Sequence, residues 1–267
     1  MNTPLVSIIT VTLNAGNDLE KTMLSVLRQT YSSIEYLLID GGSTDNTLEI
    51  IQFFEAQISY WHSTKDHGVY DAMNQGIKIA KGEAFLMLNA GDWLEPNAIE
   101  KMVNQANGQI KDKIIACNWQ VYFNKPLAPI FRQASFDFHK TVGLCHQGVL
   151  IGKNIHNQFG NYDDSLRFLG DYDFYIRVWR RKKENFTHVP FYLTHYQYEG
   201  LTTQHALKSN QERWRVINRY FAWYEAIPIR VVTLSAILIR SLGFFVRLVK
   251  KNNASPIVSF PNKTNQG

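Results

Sequence analysis

Cysteine is nearly missing from this chain: 267 residues contain two, Cys117 and Cys145. Two thiols make neither a disulfide framework nor a zinc-ligand spacing, so a reducing cytosol is expected and both read as packing residues. No Gly-x-Gly-x-x-Gly and no Gly-Lys-Ser/Thr occurs, which removes the dinucleotide fingerprint and the nucleoside-triphosphatase loop. Long apolar runs are absent too. Leu5–Val11 is too short for a signal peptide and has no basic flank. Val231–Ile239 spans nine residues before Arg240 interrupts it, whereas a membrane-spanning helix needs ~20. There is no internal repeat and no low-complexity tract.

Acid is scarce in the last third. Residues 1–176 hold 13 Lys/Arg and 19 Asp/Glu, and residues 177–267 hold 15 and 4, so a net of −6 is followed by +11. A basic C-terminal third points to an anionic partner: nucleic acid, a membrane surface or a phosphorylated substrate. The rest of the composition, 45% hydrophobic and 19% charged, is that of a globular protein. The length suffices for one large or two small domains.

What is present is a repeating pattern. "LVSIITV" reads as a strand and leads through Thr12 and Asn14 to a helix ending near Leu27. "IEYLLID" is a second strand, ending at Asp40, and Ser43 or Asp45 caps the helix that follows. "ISYWHST" is a third strand, then a loop and a helix closed by Gly82. Phe85–Leu88 is a fourth, running into Asn89, Ala90, Gly91 and Asp92. Strand, loop and helix repeated in this way predict an α/β domain with a mostly parallel central sheet and helices on both faces. The loops after the strands then share one edge, where open α/β sheets bind ligands. That edge carries Thr12, Asn14, Asp40, Asp66 to Asn74, and Asn89 to Asp92. Beyond it, strands are expected at 114–124 and 127–133, a turn, short strand and helix start in "GLCHQGVLIGKNI", and a helix from near Asp171.

Taken in order, these segments resemble glycosyltransferase family 2, with the nucleotide-sugar-binding fold called GT-A. "VSIITVTLN", "LLIDGGSTDNT", "DHGVYDAMNQGIKIAKGE", "LNAGD" and "GDYDFYIR" are similar to successive family motifs over about residues 4 to 205. The subgroup with the most similar pattern, carrying "GVYDAMN", "LNAGD" and "CHQ", builds bacterial surface polysaccharides such as colanic acid. The resemblance implies an inverting transfer from a nucleotide-diphosphate sugar, with a UDP-sugar favoured, to a lipid-diphosphate-linked saccharide acceptor.

It also implies roles. Asp171 matches the general base that takes a proton from the acceptor hydroxyl. Asp92 matches the last, metal-contacting Asp of the Asp-x-Asp motif, for Mg²⁺ or Mn²⁺. Asn89 stands at that motif's first acidic position and Gly91 before its last, so one carboxylate remains and the cation is expected to bind mainly through the diphosphate. Asp40 matches the acceptor of a base N–H, with an Asx turn as the equal alternative from the residues alone. Thr12 and Asn14 would line the nucleoside pocket, and Gly68, Asp71 and Asn74 would face the donor, with a surface amide as the competing reading of Asn74. Gly170 replaces the Glu that precedes the base. Asp173 reads as an N-terminal helix charge. His146, Gln147, His195 and Glu199 lie in matching segments without a firm role.

The catalytic domain is expected at 1–210, a basic, aromatic amphipathic segment at 211–251 and a flexible tail at 252–267. Arg230, Arg240 and Arg247 among aromatics suit either an interfacial helix on the cytoplasmic face of the plasma membrane or a helix packed on the domain. A catalytically lapsed relative and a nucleic-acid binder are the alternatives.

Overall fold

Apolar alternation along Val6–Thr12 (β1) sends Val6 and Ile8 to one side of a sheet and Ile9 and Val11 to the other. Every residue of β1 is buried, as a strand covered on both faces requires. The computed structural model describes residues 3–123, 127–138, 143–198 and 205–227. Its sheet order is β3-β2-β1-β4-β8-β6-β9-β5, with β7 on β6. Here β2 is Ile34–Asp40, β3 Tyr60–Ser63, β4 Ala84–Asn89, β5 Trp93–Leu94, β6 Ile114–Tyr122, β7 Ile130–Arg132, β8 Val149–Gly152 and β9 Phe186–Gln197. The first four strands pair in parallel, as the repeating pattern requires. Past β4 the sheet is mixed: β8 runs antiparallel to β4 and to β6, and β9 runs parallel to β6.

Helices cover both faces. Helices α1 (Gly16–Leu27), α2 (Thr47–Phe53) and α4 (Ala98–Gln105) pack Leu19, Met23, Ile51, Ile99 and Met102 against one side. On the other side lie α3 (Val69–Ile79), α5 (Lys153–Phe159), α6 (Gly170–Trp179) and α7 (Ala206–Tyr220). Asp45 does organise the start of α2, accepting from the Thr47 backbone N–H at 3.0 Å. Gly82 does not close α3, which ends at Ile79 with Ala80 extended. A Cβ at Gly82 would stand 2.5 Å from Ser7 Oγ, so this glycine serves a close approach to the start of β1.

β9 had no strand signal, because Pro190 sits in its middle. The ladder absorbs the proline in an irregularity. Pairing steps from Cys117–Val189 to Asn118–Tyr192, leaving Pro190 and Phe191 without partners on β6, and shifts again before Trp119–Thr194. Downstream of this bulge, His195 comes beside Trp93 of β5.

The boundary expected at 210 falls inside α7. Glu212 is buried and accepts the backbone N–H groups of Arg167 and Phe168, both at 2.8 Å. Val216, Ile217, Phe221 and Ala226 join the core that holds α6. Residues 211–227 therefore pack on the core that holds α6. Residues 228–267, with the second basic stretch and the tail, lie outside the described residues. Among the described residues, no helix is long and apolar enough to cross a membrane.

A rigid contact in this frame is Gly152, where β8 meets α5. A Cβ there would collide with the Lys111 and Ile110 carbonyls. Backbone cannot step aside as a flexible side chain does, so Gly152→Ala is expected to cost ~1–3 kcal/mol of stability. Urea unfolding measures it, and an unchanged midpoint would contradict the contact.

Candidate functional site

β1 lies between β2 and β4, so the chain leaves it toward opposite sides of the sheet and a crevice opens at its carboxyl end. Two clusters form there.

The first joins the β1 and β2 ends. Asn14 takes a left-handed conformation, φ 49°, and its Oδ1 accepts from the Thr44 N–H at 2.8 Å, while Ser43 Oγ receives the Asn14 N–H at 2.7 Å. Thr12 is buried, and its Oγ1 has no hydrogen-bond partner. Asp40 is fully enclosed and accepts four bonds: from the Gly42 and Ser43 N–H groups and from the hydroxyls of Ser43 and Ser63. Three of these bonds fall on Oδ2 and one on Oδ1, and together they form the Asx turn that the residues also allowed. Asp66 stands beside it, against Gly41: a Cβ on Gly41 would lie 2.5 Å from Asp66 Oδ2. Sequence reading placed Asp66 on this edge without giving it a role.

The second cluster joins β4 to α6. Gly91 turns the chain with φ 98°, a conformation that favours glycine, and the buried Asp92 follows. Asp92 accepts from the Gln147 side-chain amide and from the Gln197 N–H at 2.8 Å. Burial pushes its pKa up to about 6, against the opposing pull of the Gln197 bond, His146, Gln147 and Lys21. Asn89 Nδ2 lies 2.9 Å from His146 Nε2, and His146 Nδ1 lies 3.3 Å from Asp171 Oδ2. With the amide donating, Nε2 is the acceptor and Nδ1–H faces the carboxylate. The other Asp171 oxygen accepts from the Tyr70 hydroxyl at 2.8 Å. Burial alone would raise the Asp171 pKa, but the contacts with His146 and Tyr70 outweigh it and hold the carboxylate below its usual value. The side chain is 14% exposed, enough for a ligand hydroxyl to reach it.

Gly170 explains how Tyr70 arrives. A Cβ at Gly170 would stand 2.9 Å from the Tyr70 ring, so the small residue lets the ring lie on the start of α6. The family's Glu at this position has no room here. His146 and Gln147 sit in one 3-10 turn, His146–Gly148, and so tie Asp171 to Asp92. The only sequence signal for this link was the "CHQ" triplet.

Other expected residues serve elsewhere. Gly68 opens α3 with φ 136° and open space where a side chain would be. Asp71 accepts the His67 N–H at 3.0 Å and the Gln75 amide at 3.2 Å, and lines a groove between α3 and α5. Asn74 exchanges two bonds with the Tyr162 backbone, at 3.0 and 3.1 Å, which pins the segment before α6. His195 bonds Glu95 at 2.7 Å and stacks on Trp93, and burial lowers its pKa. Asp173 is 1% exposed and paired with Arg177 and Arg219, binding α7 to α6. Glu199 lies outside the described residues.

Among the described residues no group of three or more His, Cys, Asp or Glu side chains is placed to hold a metal ion. The strand end offers the Asp92 carboxylate and Asn89 Oδ1, which is buried without a partner. That donor set fits a divalent cation whose remaining ligands come from phosphate oxygens, and no cation held by protein alone.

Comparison with known proteins agrees with this geometry. Residues 7–159 match the model of glycosyl transferase family 2. An uncharacterized glycosyltransferase of Rickettsia typhi is 32% identical over 200 residues, 69% of this chain and 62% of that protein. A PGL/p-HBAD biosynthesis glycosyltransferase of Mycobacterium bovis is 31% identical over 189 residues, 66% of this chain and 70% of its own length. Among solved structures, S. aureus TarS 1–349 in complex with UDP-GlcNAc superposes with a TM-score of 0.63 at 15% identity, over 80% of this chain and 64% of that one. Its UDP complex gives 0.60 at 14% identity, over 72% and 60%. The chain thus spans under two thirds of the length of the Rickettsia relative and of these structures. Motif order, mixed sheet and crevice converge on one conclusion: this chain belongs to glycosyltransferase family 2.

Proposed function

We propose that the chain transfers a sugar, with inversion, from a UDP-type nucleotide-sugar to a hydroxyl of a saccharide acceptor carried on a lipid diphosphate. The observation that supports it best is the 3-10 turn at residues 146–148, which holds Asp171 through His146 and Asp92 through Gln147. One carboxylate is kept charged and reachable by a hydroxyl, and the other waits at the end of β4 beside an unpartnered amide oxygen. Asp171 takes the acceptor proton as that oxygen attacks the anomeric carbon, and the nucleoside diphosphate leaves from the opposite face. Tyr70 and His146 hold the carboxylate in place for that transfer. Asp92 and Asn89 are the residues to hold Mg²⁺ or Mn²⁺, which when bound with the diphosphate neutralises the leaving group.

Surface-polysaccharide synthesis on the cytoplasmic membrane face is the setting this acceptor class suggests, with the basic chain beyond residue 227 as the membrane contact. The relatives named above include one whose name places it in PGL/p-HBAD biosynthesis.

Thermal shift with UDP, GDP and TDP, each with and without Mn²⁺, tests the reading. One nucleotide should stabilise the protein by ~2.7 kcal/mol at a hundredfold excess over its dissociation constant, and more so with the metal. No response to any nucleotide would sink it. Binding without any sugar transfer would favour the lapsed relative.

A further inference from the structure

We propose that the groove between α3 and α5, outside the crevice, is a second carbohydrate site, taking an uncharged stretch of the saccharide chain whose end the crevice elongates. The inference rests on the saccharide-transfer reading and goes beyond it.

The groove has a volume of about 560 Å³, within the ~300–1,000 Å³ of small-molecule sites. None of the side chains that hold Asp171 or Asp92 lines it. Its apolar lining is Ile77 and Ala80 from α3 and its end and Phe85 of β4, all buried. Its polar lining includes Asn157, Asn161, Lys78, Lys153 and Asp164, all exposed. Among the described residues these five side chains make no hydrogen bond, whereas Asn74 and Asp71 are spent on Tyr162, His67 and Gln75.

His156 lines the groove as well. It is 4% exposed, and neither ring nitrogen has a hydrogen-bond partner. Stacking on Phe174, with ring centres 4.7 Å apart, fixes the ring. Burial lowers its pKa to about 4 against the pull of the Gly160 backbone, so the imidazole is neutral. A neutral imidazole offers one N–H and one lone pair. Buried polar groups are nearly always paired, so this ring calls for a partner that both donates and accepts, as a hydroxyl does.

Charge narrows the class. Lys78 and Lys153 are balanced by Asp71 and Asp164, so the groove favours neither an anion nor a cation over a neutral ligand. Amides, ammonium groups and a carboxylate together give and accept hydrogen bonds, which matches the hydroxyls of a sugar, and the apolar lining suits its C–H face. The groove also adjoins the packing that seats the base. Tyr162 contacts both His156 and Tyr70, with ring centres 5.6 and 5.7 Å away, and Tyr70 donates to Asp171.

Native mass spectrometry of the full chain tests this, with oligosaccharides released by mild acid from a lipid-linked saccharide extract and separated into neutral and acidic pools. Neutral oligosaccharides should bind, and acidic ones no more tightly. Asn157→Ala with Asn161→Ala should weaken neutral binding tenfold or more, while UDP affinity in Mn²⁺ stays within twofold. If that pair of changes unfolds the chain, Asn157→Trp, whose ring would fill the groove from an exposed position, decides by the same criterion. Neutral binding weakened less than tenfold, or acidic oligosaccharides bound tenfold more tightly than neutral ones, overturns the groove site and leaves the transfer reading standing. So does binding of UDP with neither pool bound. Failure of the unaltered chain to bind UDP or either pool overturns both.

Discussion

Asp171→Asn is expected to slow sugar transfer by ~10²–10⁴-fold, the usual worth of a positioned general base. The change is nearly isosteric: the amide oxygen can still accept from the Tyr70 hydroxyl, and its NH2 is met by His146 in the other tautomer with the Asn89 amide turned over, so fold and nucleotide affinity should hold. What is lost is the charge. In the parent, His146 at 3.3 Å and Tyr70 at 2.8 Å hold Asp171 ionised in spite of its burial. An amide has no basic lone pair for the acceptor proton. Release of nucleoside diphosphate, followed with a lipid-linked saccharide extract as acceptor, measures the rate. Melting temperature and UDP titration show whether the loss is chemical. A variant retaining more than a tenth of the parent rate would remove Asp171 from the base role.

The second large effect runs in opposite directions for stability and for function. Asp92 carries a folded-state pKa of about 6, raised by burial above the usual 3.8 of an aspartate. For an acid shifted upward, the folded state favours the protonated form. Stability from this group is full below pH ~4, falls as pH rises to ~6 and stays low above that. The difference of about two units corresponds to roughly 3 kcal/mol at pH 7. Asp92→Asn abolishes that penalty and loses about 2 kcal/mol with one charge-assisted bond. The free protein should therefore gain about 1 kcal/mol at pH 7.5 and nothing at pH 4. Urea unfolding at the two pH values checks this, and a variant less stable than its parent at pH 7.5 would refute it. Nucleotide binding should in turn lose its dependence on Mn²⁺, because the carboxylate at the β4 end is gone.

Where sequence reading and structure agree, the signal is local. Apolar runs bounded by turn residues mark β1, β2 and β4 within a residue or two, and the polar residues after them reach one crevice because parallel strands end on the same edge. Where they part, the cause is a contact between segments far apart in the chain. Pro190 argues against a strand, yet β9 pairs with β6 along a ladder that leaves Pro190 and Phe191 unopposed. Asn74 sits on a surface helix by its sequence, but the backbone it holds is 88 residues away. Asp40 and Asp66 look alike as acids at strand ends. Only the count of donors around each separates a loop fastener from an open carboxylate. The sequence left open whether its basic C-terminal stretch lies at an interface or packs on the domain, and in α7 Glu212, Val216 and Ile217 dock the helix into the core.

The sequence by itself determined the parallel strands β1 to β4, the edge on which their polar end residues gather and the family, because hydrophobic period and ordered motifs are properties of neighbouring residues; the antiparallel pairings past β4 came from the tertiary structure. Tertiary structure alone decided which carboxylate is charged, which is spent and which is free. Ionisation and hydrogen-bond capacity depend on burial and on partners that the chain brings in from far away: His146 and Tyr70 onto Asp171, Gln147 and Gln197 onto Asp92, Gly41 beside Asp66.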